Sequence, residues 1–275
     1  MNPLAWPRQW RELKNHPVYQ RERGGWGKPN RFYDSLSRYS PFVVMGAILL
    51  GVCAGSSNPA IFAGNEALLA FWCLLCLPGI VLNGVTLFGL FMAPALTAPT
   101  ISMELDRGTW DILRVTPLST RSIIMAKLLG ALARLRIWPI LFALSLLQGL
   151  LLTCSTLFAL GTDGSNLATL SGVIVGLTSA IRPWLEILFA AFVGMLASTL
   201  VKSATTALAA SYTAVFLIKV FNSSLIWLGV AALIGKGETF SFALSGLGPT
   251  AVYFVAIVGL FVGLMRQADR LGSGN

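Results

Sequence analysis

Long apolar stretches without a single charge alternate with short charged segments along this chain. The charge-free runs are 39–65, 67–103, 137–162, 164–181, 187–201, 203–218, 220–235 and 239–265. Four of these runs exceed the roughly 20 apolar residues that an α-helix needs to cross a bilayer,. The pattern therefore predicts membrane-spanning helices rather than the one-sided helices of a water-soluble domain.

The shorter runs decide how many spans the chain has. We predict six spanning helices, at about 40–57, 68–92, 137–160, 184–202, 203–222 and 248–266. Residues 164–181 then form an external interfacial helix. Residues 223–246, which are rich in glycine, form a broken external or re-entrant element whose backbone other parts of the protein must cover,. An eight-span arrangement, in which the short runs also cross, is the alternative.

Composition supports this class of protein. Hydrophobic residues make up 55% of the 275 residues and charged residues only 11%, whereas soluble domains carry about 25% charged residues. We therefore expect an all-α integral membrane protein. It divides into a cytoplasmic or interfacial head, 1–40, and a transmembrane domain, 41–275.

The distribution of basic residues predicts the orientation of the spans. The net charge is +9, and 17 of the 20 Lys and Arg residues fall in the head, in 97–136, at Lys202 and in the tail. Only Arg182, Lys219 and Lys236 fall in the predicted external segments. Because Lys and Arg accumulate on the cytoplasmic side, both termini are expected in the cytoplasm. We read this charge as a topology signal and expect no nucleic-acid partner.

The head is too long and too basic for a signal peptide,. Trp6, Trp10 and Leu13 share one helical face, opposite Arg8 and Arg11. Aromatic residues facing basic ones suit an amphipathic helix in the membrane interface. A plain basic anchor, held only by its charge, is the alternative.

Residues 101–127, ISMELDRGTWDILRVTPLSTRSIIMAK, are charged and punctuated. Gly108 should interrupt a helix that continues from the second span. Thr109 can cap a new short helix, with Asp111 in its first turn near the positive helix end. Thr116–Pro117 should end that helix, because proline pushes the residue before it out of the helical region.

A further helix should start at the cap provided by Ser119 or Thr120 and lead into the third span. The apolar contacts available to the short helix before it are Trp110, Leu113 and Ile112. The segment thus reads as helix, break, short helix, break, helix.

This punctuation resembles the cytoplasmic motif of permeases in the type-2 exporter family of ATP-binding-cassette transporters. The matching residues are Glu104, Gly108, Thr109, Asp111, Leu113, Thr116, Pro117, Leu118, Ser119 and the pair Ala126–Lys127. The sequence departs from the family pattern at Leu105–Arg107, at Trp110, where leucine is common, and at Ala126, where glycine is usual. The motif covers about 25 residues, while the layout of spans resembles the family over nearly the whole chain.

The resemblance implies a fold and a set of partners. Such permeases have six spans, an amphipathic helix before the first and a re-entrant element before the last, an arrangement known as the type V exporter fold. Loop 97–127 would contain the coupling helix that docks on a cytosolic ATPase subunit. ATP and Mg would bind that ATPase, and this chain would need no cofactor of its own. A second permease subunit, identical or homologous, would complete the pathway in the cytoplasmic (inner) membrane of a prokaryote.

Trp110 is the residue we expect to anchor the ATPase. A large aromatic on a short exposed helix can lie in the lipid interface or fill a groove on a partner. Asp106, Arg107, Asp111 and Arg114 would form a polar rim around it, which favours the groove,. The chain itself lacks a phosphate loop. Its nearest approach, GGWGKP at 24–29, lacks both the first glycine and the final Ser or Thr of that motif,.

Four polar residues in or near the predicted spans are candidates for a pathway: Asn83, Arg182, Glu186 and Lys219. Each also has a structural interpretation. Arg182 and Glu186 are four residues apart and can pair on a helix, Lys219 can extend to the outer surface, and Asn83 can bond to a neighbouring helix.

Two other functions stay open at this level. A structural or assembly subunit could keep the permease fold without transport, and a membrane-embedded enzyme could use the same four polar residues. The cysteines, Cys53, Cys73, Cys76 and Cys154, lie in apolar runs far from the only histidine, so we expect no metal site,. The substrate is not indicated.

Overall fold

The structure is a computed structural model that describes residues 17–23, 67–116, 118–160, 166–234 and 238–273. These residues form helices and no strand, which confirms the all-α class. The helices are α1 (Pro17–Glu22), α2 (Ala67–Thr97), α3 (Pro99–Asp106), α4 (Trp110–Arg114), α5 (Thr120–Arg134), α6 (Trp138–Leu160), α7 (Asn166–Leu200), α8 (Ala204–Phe221), α9 (Ser224–Ile234) and α10 (Glu238–Ser273). The predicted first span, 40–57, and the head residues Trp6 to Leu13 lie outside the described residues.

Within the described ranges, four stretches are long and apolar enough to cross a membrane: Pro78–Asp106, Leu170–Leu200, Ala204–Ile234 and Ala243–Gly272. A fifth follows if Thr120–Arg134 and Trp138–Cys154, which are bent by 73° at the break between them, count as one span. Several long apolar helices thus indicate a membrane protein. Arg136, in that break, has a positive φ of 50°.

The helix bounds predicted from the charge-free runs agree with the structure for some helices and differ for others. Helices α6 and α8 start and end within a residue of the predicted 137–160 and 203–222. The separate external helix predicted at 164–181 is wrong, because α7 is one helix of 35 residues that runs through Pro183. The charge of Arg182 predicts a helix boundary at that position. Inside α7 it instead pairs with Glu186 one turn later, at 2.9 Å.

The last helix is also longer than predicted. Helix α10 starts at Glu238 rather than near residue 248, and it passes through Pro249. Residues 238–246 therefore belong to it, and only α9 remains as a separate element before it. The side-chain amide of Asn222, just after α8, donates to the Pro249 carbonyl at 2.9 Å, so the α8–α9 connection is bonded to the middle of α10.

Helix α7 is the centre of the described bundle and packs against α2, α6, α8 and α10. Small and apolar side chains make this possible: Ile187, Ala190, Ala191 and Met195 are all fully buried. Small residues allow helices to approach closely where lipid tails would compete with larger side chains for contact.

Most of the basic residues that the structure describes lie in three segments that meet at one end of the bundle. The hydroxyl oxygen of Ser198 accepts hydrogen bonds from the backbone N–H groups of Ile101 and Ser102, both at 2.9 Å. Arg121 forms an ion pair with Asp269 at 2.6 Å, which joins the start of α5 to the end of α10. The 97–136 region, the turn before α8 and the end of α10 therefore share one side.

Helices α6 and α7 touch through glycine. A Cβ atom on Gly176 would overlap the Thr153 hydroxyl and lie 2.8 Å from the Gly149 carbonyl oxygen. We expect Gly176→Ala to destabilise the protein by about 1–3 kcal/mol, because overpacked helices must separate. Thermal unfolding of the purified protein in neutral detergent measures this loss.

Gly259→Ala is the matched control, because nothing lies within 4 Å of a Cβ atom there. It should be neutral or slightly stabilising, since alanine has the better helix propensity. Equal unfolding temperatures for the two variants would show that the close approach of α6 and α7 does not limit stability.

Candidate functional site

The region between the second and third predicted spans folds as a series of short helices. Helix α3 ends at Asp106, residues 107–109 form a turn, and α4 covers Trp110–Arg114. Gly108 has a φ of +69°, in the left-handed region that glycine adopts without strain,. The predicted break at Gly108 is therefore confirmed.

The predicted caps have different outcomes. Ser119 is extended and its hydroxyl accepts from the Ser122 N–H at 3.3 Å, so it caps α5 as predicted. Thr109 does not cap α4 with its side chain, and that prediction is wrong. Its backbone is already helical, and its hydroxyl points back to donate to the Glu104 carbonyl at 3.4 Å. Asp111 lies in the first turn of α4, as predicted.

The end of α4 is close to the predicted position. The helix stops at Arg114, Val115 follows as its C-cap, and the Thr116 hydroxyl donates to the Leu113 carbonyl at 2.6 Å. Pro117 lies outside the described residues, so its predicted role in ending the helix stays a prediction.

Trp110 is buried, which contradicts its expected exposure as a partner anchor. It is only 4% exposed and belongs to the main hydrophobic cluster, with Leu113 packed against that cluster. The exposed apolar side chains here are Ile112 and Val115, at 69% and 85%. In this structure α4 turns its largest apolar side chain toward the core of the chain itself.

We call Asp106, Arg107, Asp111, Ile112 and Val115 the junction surface. All five are exposed, and they lie within ten residues of chain on α3, the turn, α4 and its C-cap. The surface combines two large apolar groups with charges of both signs. That composition resembles a docking patch with a polar rim.

Lys127 of α5 connects α3, next to the junction surface, to α1 and α5. Its side chain is 1% exposed, and its ammonium donates to Glu104 Oε1 at 2.8 Å, Glu22 Oε1 at 3.2 Å and the Thr100 carbonyl at 3.3 Å. We call Glu22, Glu104 and Lys127 the lysine cluster. It joins α1, α3 and α5. Sequence reasoning named Glu104 and Lys127 separately but missed their contact and missed Glu22.

Helix α1 lies directly on α5. A Cβ atom on Gly130 would come within 2.6 Å of Glu22 Cβ and 3.2 Å of the Tyr19 carbonyl oxygen. Helix α1, the described part of the head, therefore packs on α5 at Gly130 and also contacts α5 through the lysine cluster.

A second polar region lies deeper between the helices. A cavity of about 470 Å³ is lined by residues of α2, α6, α7, α8 and α10. The four predicted pathway candidates, Asn83, Arg182, Glu186 and Lys219, all line it. The structure thus brings together side chains that are up to 136 positions apart in the sequence.

Glu186 holds the charged part of the cavity. It is 2% exposed and accepts hydrogen bonds from Arg182 Nε at 2.9 Å and from the ammonium of Lys219. The predicted pair of Arg182 and Glu186 is confirmed. Lys219 turns toward Glu186 rather than away from the bundle, and its side chain keeps 35% exposure.

The two side-chain amides that line the cavity differ in their hydrogen bonding. Asn83 donates to the Gly79 carbonyl in its own helix at 2.8 Å, rather than to a neighbouring helix. Gln148 also lines the cavity, and its Oε1 is buried without a partner among the described residues. Sequence reasoning missed Gln148, although it is the only Asn or Gln in the run 137–162.

These two regions are an exposed surface of mixed charge and a charged cavity. In the part of the chain that the structure describes, no group of three or more His, Cys, Asp or Glu side chains could hold a metal ion. No protein-family model matches the chain, and no curated protein or solved structure is significantly similar to it.

Proposed function

We propose that this chain is the permease subunit of an ATP-binding-cassette exporter, driven by a separate cytosolic ATPase subunit. The observation that carries the proposal is the junction: a left-handed Gly108 and an exposed short helix between two long apolar helices. Trp110 holds this short helix on the bundle, and Ile112 and Val115 stay exposed. A passive loop would need neither the turn at Gly108 nor the buried Trp110 that fixes α4.

The arrangement of charge supports the proposed orientation. The basic segments meet at one end of the described bundle, which is the end we assign to the cytoplasm,. Both termini would then be cytoplasmic, in the inner membrane of a prokaryote. Helix α9 and the start of α10 would form the external re-entrant element, in a six-span domain whose first span is 40–57.

The complex would contain further subunits. ATP and Mg would bind the ATPase, because this sequence has no phosphate loop,. A second permease subunit, identical or homologous, would face this one across the pathway. The docking site on this chain would be the junction surface, with Ile112 and Val115 in place of the buried Trp110 as the apolar contacts.

Site-specific crosslinking tests the docking. The four native cysteines are replaced by serine, and a photoactivatable group is attached at Val115→Cys in native membranes. We expect one main adduct, with a protein that carries a phosphate loop, because position 115 is 85% exposed at the junction. Leu233→Cys is the control, because it is 89% exposed but lies on α9.

The crosslinking experiment separates two outcomes. An ATPase adduct at position 115 and none at 233 supports the proposal. The same adducts at both positions, or none at 115, contradicts it. A separate purification tests the alternative. If the chain always copurifies with the same other proteins but never with an ATPase, the result would favour a structural subunit that keeps the permease fold.

The double variant Ile112→Ala, Val115→Ala measures the strength of the contact. We expect the crosslinked ATPase to bind at least about tenfold more weakly, which corresponds to about 1.4 kcal/mol. The unfolding temperature should stay near that of the wild type, because both side chains are exposed,. Titration of the purified ATPase against the permease in nanodiscs provides the measurement, with Leu233→Ala as control.

A further inference from the structure

An unpaired hydrogen-bond acceptor lies in the cavity between α2, α6, α7, α8 and α10. It is Oε1 of Gln148, which is buried and accepts no hydrogen bond from any residue that the structure describes. The amide reaches across to α2, where a Cβ atom on Gly79 would lie 3.2 Å from Gln148 Nε2. A buried acceptor without a partner costs free energy, so a ligand that donates to Gln148 gains affinity.

Three hydroxyl groups that line the cavity are acceptors as well. Each already donates its proton to a carbonyl of its own helix: Thr86 to Leu82 at 2.7 Å, Thr178 to Ile174 at 2.8 Å and Ser179 to Gly176 at 2.7 Å. A hydroxyl that has given away its only proton still has lone pairs that accept. We call Thr86, Gln148, Thr178 and Ser179 the acceptor residues.

The charged residues of the cavity offer donors but no free carboxylate oxygen. Both oxygens of Glu186 already accept from cations, Oε1 from Arg182 at 2.9 Å and Oε2 from the ammonium of Lys219. A cationic ligand therefore finds no carboxylate oxygen that lacks a cation. Lys219 keeps 35% exposure of its side chain, and an ammonium has three N–H donors, so it can also donate to a ligand. The hydroxyl of Ser223, which lines the cavity too, can donate or accept,.

A hydroxyl group on a ligand matches both kinds of partner through one atom. It can donate to an acceptor residue and accept from Lys219. A carboxylate has no proton to donate to the acceptor residues, and an ammonium cannot accept from Lys219. The cavity volume of about 470 Å³ is within the range of small-molecule sites, roughly 300–1,000 Å³. Leu152 and Val175 add apolar surface to its lining.

We infer that this cavity binds an uncharged molecule with two or more hydroxyl groups, which donate to the acceptor residues and accept from Lys219. The inference goes beyond the proposed function, on which it rests only for the idea that the bound molecule is transported. A site built to receive donors leaves its buried acceptors unpaired when an analogue lacks those protons. Binding should therefore depend on the hydroxyl protons of the ligand and not only on its oxygens.

Calorimetric titration of the purified chain in phosphatidylcholine nanodiscs tests the inference, with empty nanodiscs as the blank. The main probe is hexylglycerol, the monohexyl ether of glycerol. The matched probe is its dimethyl derivative, which has the same three oxygens but no O–H group. We expect hexylglycerol to bind saturably at one site and the dimethyl derivative to bind at least about tenfold more weakly. Hexyl phosphate and hexyltrimethylammonium, with the same chain on a charged group, should also bind at least about tenfold more weakly than hexylglycerol.

Two variants assign the site. Gln148→Leu removes the unpaired acceptor and nearly keeps the size of the side chain, so it should weaken hexylglycerol binding at least about tenfold. It should not lower the unfolding temperature, because the atom it removes has no partner,. Gln267→Leu is the matched control, because it makes the same change on α10, 21 residues after Gly246 of the cavity, and should leave binding unchanged. The comparison of the two ethers on the unaltered chain remains decisive if Gln148→Leu does not fold.

Equal binding of the two ethers, absence of saturable hexylglycerol binding, or equal or tighter binding of either charged probe would overturn the inference. Equal binding by folded Gln148→Leu and the unaltered chain would do so too. The assay contains no ATPase, so it is independent of the crosslinking experiment. Hexylglycerol binding without an ATPase adduct at position 115 would keep the site and contradict the transporter. An adduct without hexylglycerol binding would contradict the site and keep the transporter.

Discussion

Replacing Lys127 by methionine should destabilise the protein by about 3–5 kcal/mol, because it removes the only cation from the lysine cluster,. Glu22 and Glu104 would then face each other with side chains only 14% and 11% exposed. Helices α1, α3 and α5 would lose their shared contact at the same time. Thermal unfolding and the half-life at elevated temperature, both in neutral detergent, measure the loss.

Two variants show whether the buried charge is the cause. Arg121→Met, on the same helix, removes a cation whose ion pair with Asp269 is exposed to solvent, so it should have little effect,. The double variant Lys127→Met, Glu104→Gln removes one uncompensated carboxylate and should recover part of the loss. If Lys127→Met and Arg121→Met unfold alike, the lysine cluster does not stabilise the junction.

Trp110→Ala should cost about 3–5 kcal/mol, the range for removing a large buried aromatic side chain, because Trp110 is 4% exposed in the main cluster. Without it, α4 loses its attachment to the bundle. We expect lower yield and a lower unfolding temperature even when no ATPase is present. Fluorescence-detected size exclusion of the heated protein measures the change.

Ile112→Ala on the same helix separates stability from docking. Its side chain is 69% exposed, so its effect on unfolding should be within about 0.5 kcal/mol,. It should nevertheless weaken ATPase binding. A Trp110→Ala protein with normal stability and weakened ATPase binding would restore the original expectation that Trp110 is a partner anchor.

For α4 and its surroundings, the local sequence predicts where helices break and begin but not which side chain is buried. The break at Gly108 was predictable because a left-handed turn needs glycine, and the cap at Ser119 because serine accepts from the first N–H groups of a helix. The direction of Trp110 was not predictable. A helix of five residues has no stripe long enough to define its buried face, so the neighbouring elements decide it.

Contacts between residues on different helices could not be predicted from the sequence either. Arg182 and Glu186 could be paired from their spacing because one helix carries both. Lys219 could not be added to them, because its approach depends on how α8 is rotated against α7. Arg182 also misled the assignment of helix ends, since a charge that is neutralised inside a bundle looks the same in sequence as a charge at the membrane surface.

The lysine cluster has a consequence for the order of events during synthesis. Glu22 and Lys127 are 105 residues apart in the chain, so at roughly 5–20 residues per second the ribosome needs about 5–20 s to supply the second after the first. During that interval α1 cannot occupy its final position, because neither Lys127 nor the Gly130 surface of α5 exists yet. Helix α1 therefore docks late, and its docking shows that the chain up to α5 has already been made.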